Sequence, residues 1–124
     1  MDLARHKHKF PVEISEYFSS SWDTGEIWRL DVPRTTLSMR ELDWHLDYPF
    51  LSGNPPAPSF DLLPRAVLAN PGEFSRHWKR VLAADLAFPI DLCTFGNRLV
   101  ILDGMHRLLK SAHAGVVELE CRIV

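Results

Sequence analysis

Residues 89–115 constrain the fold more than any other part of the chain. PIDLCTF and RLVIL are short apolar runs separated by Gly96 and Asn97, a pair suited to the two-residue loop of a β-hairpin. RLVIL is apolar on both faces, which predicts a central strand. After it, Met105, Leu108, Leu109 and Ala112 recur at helical spacing, and Gly115 stands where a helix ends in a left-handed residue. The closing ELECRIV alternates as a strand. Strand, turn, strand, helix, strand is the order of a small α/β (α+β) domain with a mixed sheet and short helices.

The rest of the chain supplies one domain's worth of core. Its 124 residues, 46% hydrophobic and 24% charged, match an ordinary globular domain and exclude disorder and fibrous repeats. Residues 1–12 are expected to form a flexible basic tail, and residues 13–124 the domain. IWRLDV (27–32) alternates as a half-buried strand closed by Pro33. Ser38 followed by Glu41 has capping-box spacing, so a short helix is predicted over 38–46. Five Pro or Gly residues in 49–58 predict an irregular loop of the kind that covers sites. Asn70-Pro71-Gly72-Glu73 has the chemistry of a helix start, with Phe74, Trp78, Val81 and Leu82 as the buried stripe and His77, Arg76, Lys79 and Arg80 on the polar side.

Charge and targeting signals narrow the function classes. Residues 13–47 hold eight acids against three bases, a net of −5, which repels a nucleic-acid backbone. No run reaches the roughly 18–20 apolar residues of a membrane span, and MDLARHKHKF lacks the apolar core of a signal peptide, so the expected address is cytoplasmic. Cys93 and Cys121 lack CxxC or Cys/His spacing and read as buried thiols.

The segment that carries chemistry is Asp103-Gly104-Met105-His106-Arg107, at the passage from a buried strand into a helix. Amides there have no intrahelical acceptors and attract anions. Gly104 admits a close approach to the main chain. His106 and Arg107 in the first turn, with Lys110 one turn on, oppose the helix dipole, and a bound phosphate would relieve that conflict. A capping Asp103 above a wet polar face accounts for the same spacing. Glu41 and His45, one helical turn apart among Asp43 and Asp47, would suit a general base or metal pair; a solvated acidic helix is the stronger account of the same residues. Of the four tryptophans, Trp44 lies nearest these acids, where base stacking is the alternative to core packing.

The run VILDGMHRLLKSAHAG, preceded by PIDLCTFGNR and followed by ECRIV, resembles the ParB N-terminal and sulfiredoxin superfamily over residues 88–124, and more loosely over 26–47. The resemblance implies a small α/β domain whose glycine-bearing turn binds nucleotide phosphates, which makes Gly104, His106 and Arg107 phosphate-binding candidates; Met105 within the turn and Lys110 one helical turn on complete the expected nucleotide-binding set. Sulfiredoxins place a nucleophilic cysteine where this chain has Met105, whose thioether cannot act that way, so sulfiredoxin chemistry is not expected. Near the free serine kinase branch, the resemblance implies ATP or ADP as ligand, with CTP as a further nucleotide to test. It also implies Mg²⁺ held by Asp103, and Asp103 or Glu41 as the catalytic acid. The expected activity is phosphoryl transfer or nucleotide hydrolysis. The alternative is a non-enzymatic nucleotide sensor that binds a partner protein and is linked to DNA partition. A phosphorylated small molecule is a further ligand class, a homodimer fits either reading, and DNA binding by this chain alone is not expected.

Overall fold

The structure, a computed structural model, describes residues 7–19, 21–53 and 60–124. It is a mixed α/β domain around a four-stranded sheet of order β1-β4-β2-β3, with β1 at Thr35–Ser38, β2 at Ile90–Phe95, β3 at Arg98–Asp103 and β4 at Glu118–Ile123. The helices are α1 (Thr24–Arg29), α2 (Pro64–Ala69), α3 (Ser75–Ala83) and α4 (Met105–His113), with 3-10 turns at Val12–Ser19, Met39–Glu41 and Asp43–Asp47. Among the described residues, no helix is long and apolar enough to cross a membrane.

The hairpin forms where its sequence predicts. β2 and β3 pair antiparallel from Phe95↔Arg98 back to Asp91↔Asp103, with a bulge between Asp91 and Leu92. Gly96 takes φ 59°, and a Cβ there would stand 2.8 Å from Glu13 Cβ and 2.9 Å from Glu13 O, so a glycine is required both by backbone sterics and by the segment seated on the turn. α4 carries the chain over β2 to β4, which runs parallel to β2 and antiparallel to β1. Gly115 ends α4 with φ 75°.

Strand β3 is an edge strand, not a central one. Its apolar residues are buried because both faces of the hairpin are covered. Ile101 and Leu92 join the main core of Leu42, Val67, Val81, Leu108 and Leu109. Val100 and Phe95 turn to the other face and meet Phe10, Ile14, Tyr17, Phe18 and Phe50. Alternation along a strand reports which faces are covered, not whether the strand has two neighbours. The open edge is satisfied by a side chain: Ile101 N donates to Nε2 of His45, 3.1 Å away, and His45 Nδ1 lies 2.7 Å from Leu42 O. Phe10, inside the stretch expected to be a tail, is buried in the aromatic cluster.

Three other expectations are corrected. Residues 27–32 are not a strand: Asp23 caps α1 by accepting from Gly25 N at 2.8 Å, and the first strand is the β-branched stretch Thr35–Ser38. Residues 38–46 form two short 3-10 turns; Ser38 Oγ accepts from Arg40 N, but the buried contacts of Leu42, His45 and Leu46 decide the geometry. Asn70 closes α2 and accepts from Glu73 N and Phe74 N, so the next helix begins at Ser75. Its inward face carries His77 and Val81, while Leu82 is 57% exposed. Residues 54–59 of the Pro-rich loop lie outside the described residues; at its ends Leu51 bridges Leu62.

One buried ion pair ties α1 to the sheet. Arg122 on β4 donates through Nε to Asp91 Oδ1 on the neighbouring β2 (2.7 Å), through Nη1 to Leu30 O (2.9 Å) and through Nη2 to Ile27 O (2.6 Å). Truncating Arg122 would leave Asp91, 2% exposed, as an uncompensated buried charge. Arg122→Ala is therefore expected to cost about 3–5 kcal/mol of stability in chemical denaturation, whereas Arg34→Ala, which removes the exposed pair with Glu120, should cost under about 1 kcal/mol.

Burial drives the pKa of His45 down from 6.5 to about 4, despite its contact with the Leu42 carbonyl. The unfolded chain thus holds a proton on this residue that the folded chain refuses, and stability falls as pH drops from about 6.5 to about 4. Urea midpoints at pH 7.5 and 5 should show this loss. His45→Gln keeps an acceptor for Ile101 N and should flatten that dependence.

Candidate functional site

The end of β3 and the start of α4 meet at Gly104, which takes φ 115° and ψ 22°. A Cβ at this position would lie 3.3 Å from the Ile90 Cα, so backbone conformation and the close approach of β2 both favour glycine. No side chain caps α4, and its first hydrogen bond runs from Leu108 N to Gly104 O. The amides ahead of it have no intrahelical partner.

Around this turn lies a cleft of about 460 Å³ lined by Asp103, Gly104, Met105, His106 and Arg107, with Tyr17, Phe50, Arg80, Ala83 and Ala84 among the other walls. The five consecutive residues picked out by the sequence thus share one cavity. Lys110 and Glu41 do not line it. Lys110 reaches the end of α3, where Nζ donates to Leu82 O (2.9 Å) and Ala84 O (2.7 Å), a favourable place for a cation. Glu41 is exposed on its 3-10 turn while His45 is fully buried, so the predicted Glu41–His45 pair does not form.

Asp103 and Arg107 hold each other. Arg107 Nη2 donates to Asp103 Oδ2 at 3.0 Å, Arg107 Nη1 donates to Pro89 O, and Trp28 Nε1 donates to the same Asp103 oxygen at 2.6 Å. Asp103 Oδ1 has no hydrogen-bond partner among the described residues. Asp103 is also the one carboxylate among the residues that line the cleft.

His106 is fixed by a partner that helix periodicity assigns to solvent. His77 Nε2 lies 2.7 Å from Ser52 O, and His77 Nδ1 lies 3.1 Å from His106 Nε2. A carbonyl only accepts, so His77 carries its proton on Nε2, its Nδ1 accepts, and His106 must donate from Nε2. The remaining lone pair of His106 is on Nδ1. The ring centroids are 5.3 Å apart with planes 17° apart, the geometry of rings meeting edge to edge through nitrogens. Burial first, then the neighbouring Arg80 charge, pushes the His106 pKa down to about 3. His106 is neutral near pH 7, and the positive charge in the cleft comes from Arg80 and Arg107.

The sequence reading missed Arg80, His77 and Trp28 as neighbours of the turn. The (i, i+3) spacing of His77 and Arg80 puts them on adjoining parts of α3, but which part meets α4 depends on packing. Trp44 is half-buried, under the Arg98 guanidinium at 4.7 Å, and is not among the cleft's lining residues. Cys93 is half-buried and Cys121 buried; burial pushes both thiols up to about 11, which leaves neither as a thiolate nucleophile near neutrality. Among the described residues no group of three or more His, Cys, Asp or Glu could hold a metal ion.

The histidine relay has a direct spectroscopic signature. Ring ¹⁵N shifts at pH 7.5 should show His106 neutral and protonated on Nε2 in the folded protein, while His77→Ala should release that tautomer preference. A His106 that titrates near its unperturbed pKa of 6.5 would contradict the arrangement. Comparison with protein-family models, curated proteins and solved structures finds no match to this chain, so any function assigned to the cleft has to be argued from its own geometry.

Proposed function

We propose that the chain binds a nucleotide through its phosphates at residues 104–107, as a ParB- and sulfiredoxin-like domain, and acts on it by phosphoryl transfer or hydrolysis. The observation that carries this reading is the uncapped start of α4 at a left-handed glycine, opening on a cleft lined by two arginines. Backbone amides, Arg107 and Arg80 together supply the donors and charge that phosphate oxygens require. The resemblance of the DGMHR segment adds to this reading.

Phosphoryl transfer asks chiefly for positioning and charge neutralisation. Arg80 and Arg107 neutralise, the first-turn amides orient the phosphate, and Asp103 orients the acceptor hydroxyl or water. One open carboxylate oxygen on Asp103 suits a magnesium ion, which is commonly held by one or two carboxylates plus substrate phosphates and supplies further charge neutralisation.

A second reading has its own support. Asp103 is already engaged by Trp28 and Arg107, and no other acid lines the cleft. A sensor that binds nucleotide without turnover needs no free base.

Calorimetric titration of ATP, ADP and CTP, with and without Mg²⁺, into the wild type and Arg107→Ala tests both. Binding to the wild type that weakens at least about tenfold in the variant, as the loss of a charge-assisted contact would give, supports the phosphate site. No binding of any of the three overturns it. Asp103→Asn should keep nucleotide affinity, because Arg107 loses a competing anion, and should abolish product formation. Equal loss of binding and turnover would remove the catalytic role from Asp103, and wild-type binding without product would favour the sensor.

A further inference from the structure

Two of the largest apolar side chains left in water stand beside one cleft. Trp28 is 59% exposed and Phe88 62%, and both line a second cavity of about 600 Å³ with Val32 and Pro89, above the Asp91–Arg122 pair. Neither ring is on a loose segment. Trp28 is held by its bond to Asp103. Phe88 sits in a turn in which Asp85 Oδ1 accepts from Ala87 N at 2.9 Å and Asp85 O from Phe88 N at 3.2 Å. Arg34 Nη1 braces the same turn at Ala87 O, and Arg107 Nη1 braces it at Pro89 O. Preorganised, exposed aromatic surface of this kind binds rings at low ordering cost.

The arginines that line this cavity, and one oxygen of the lining Asp85, are already engaged by the protein. All three Arg122 nitrogens donate to protein acceptors, and Arg34 is engaged by Glu120 and Ala87 O. The cavity therefore suits a flat, uncharged group. It also adjoins the phosphate cleft, since Arg107 lines both cavities and Asp103, the partner of Trp28, lines the first.

We propose that the Trp28–Phe88 cavity is the base-binding half of the nucleotide site, with the base against the two aromatic rings and the phosphates reaching past Arg107 to the Gly104 turn. This inference rests on the nucleotide reading above. It makes the ligand a nucleotide rather than a simple phosphoester or inorganic phosphate.

Titrations of ATP and inorganic tripolyphosphate into the wild type, Phe88→Ala and Trp28→Phe separate the two halves. The wild type should bind ATP more tightly than tripolyphosphate. Phe88→Ala should weaken ATP about tenfold or more, as the loss of one stacking face does, and leave tripolyphosphate unchanged. Phe88 is exposed, so this variant should fold. Trp28→Phe keeps a ring but loses the Nε1 bond to Asp103 that orients it, and should weaken ATP less than Phe88→Ala does. If the wild type binds both ligands equally, or Phe88→Ala affects neither or both alike, the base site is overturned and the phosphate site stands. If neither ligand binds, both readings fall. If Phe88→Ala instead dissociates a dimer in sedimentation while ATP affinity is unchanged, the aromatic face belongs to a second copy and the base site is overturned.

Discussion

The buried Arg122–Asp91 pair is the constraint on which the arrangement of the site depends. A buried guanidinium must have acceptors for its donors, and Arg122 finds them in Asp91 on the adjacent strand and in the Ile27 and Leu30 carbonyls at the end of α1. That fixes α1 against the sheet. Trp28, on α1, then reaches Asp103 at the end of β3; Asp103 holds Arg107 on α4, and Arg107 returns to the Pro89 carbonyl, two residues before Asp91. The polar contacts close a circuit through α1, β4, β2, β3 and α4. Each member is oriented by the next, so the buried pair sets the cleft's geometry through the whole circuit.

The hairpin at the centre is stabilised by a different device. Its faces are covered by the helices on one side and by the aromatic cluster around Phe10, Tyr17 and Phe50 on the other, which leaves β3 apolar from Leu99 to Leu102 yet unpaired along one edge. An unpaired N–H in such surroundings is costly. His45 answers it as a neutral ring, and burial keeps that ring neutral. The same chemistry recurs at His106, where burial and a neighbouring arginine keep a second imidazole uncharged. Both histidines work here as hydrogen-bonding groups rather than as cations.

What could be read from the sequence was local. Gly96, Gly104 and Gly115 all take positive φ, at the hairpin turn, the strand-to-helix turn and the helix end where the pattern places them. α4 and β4 follow from residues whose spacing spans a whole element. Residues 27–32 misled because six residues fit either a strand or one turn of helix, and the Asp23 cap that decides between them lies outside that window. The face of α3 misled for a deeper reason. A periodic pattern assigns histidine outward, but His77 is 5% exposed because Ser52 O and His106 pair both of its nitrogens. Those partners lie 25 and 29 residues away, beyond any local pattern.

The charges at the start of α4 pair differently in the fold than their spacing in the sequence suggests. The sequence shows three basic or titratable side chains near the start of α4, opposed to the helix dipole, and a ligand as the relief. In the fold each is relieved internally: Arg107 turns back to Asp103, His106 stays neutral, and Lys110 extends to the carbonyls that end α3. The conflict itself therefore no longer calls for an anion. What supports the proposed phosphate is the geometry left after these pairings, namely amides without a side-chain cap at Gly104 and the Arg80 guanidinium brought to the same cleft from a different helix. An incoming phosphate would compete with Asp103 for Arg107, and so displace a contact in the circuit that also holds Trp28. Occupancy of the cleft by the proposed phosphate would in that way be mechanically connected to the setting of the aromatic cavity through one carboxylate.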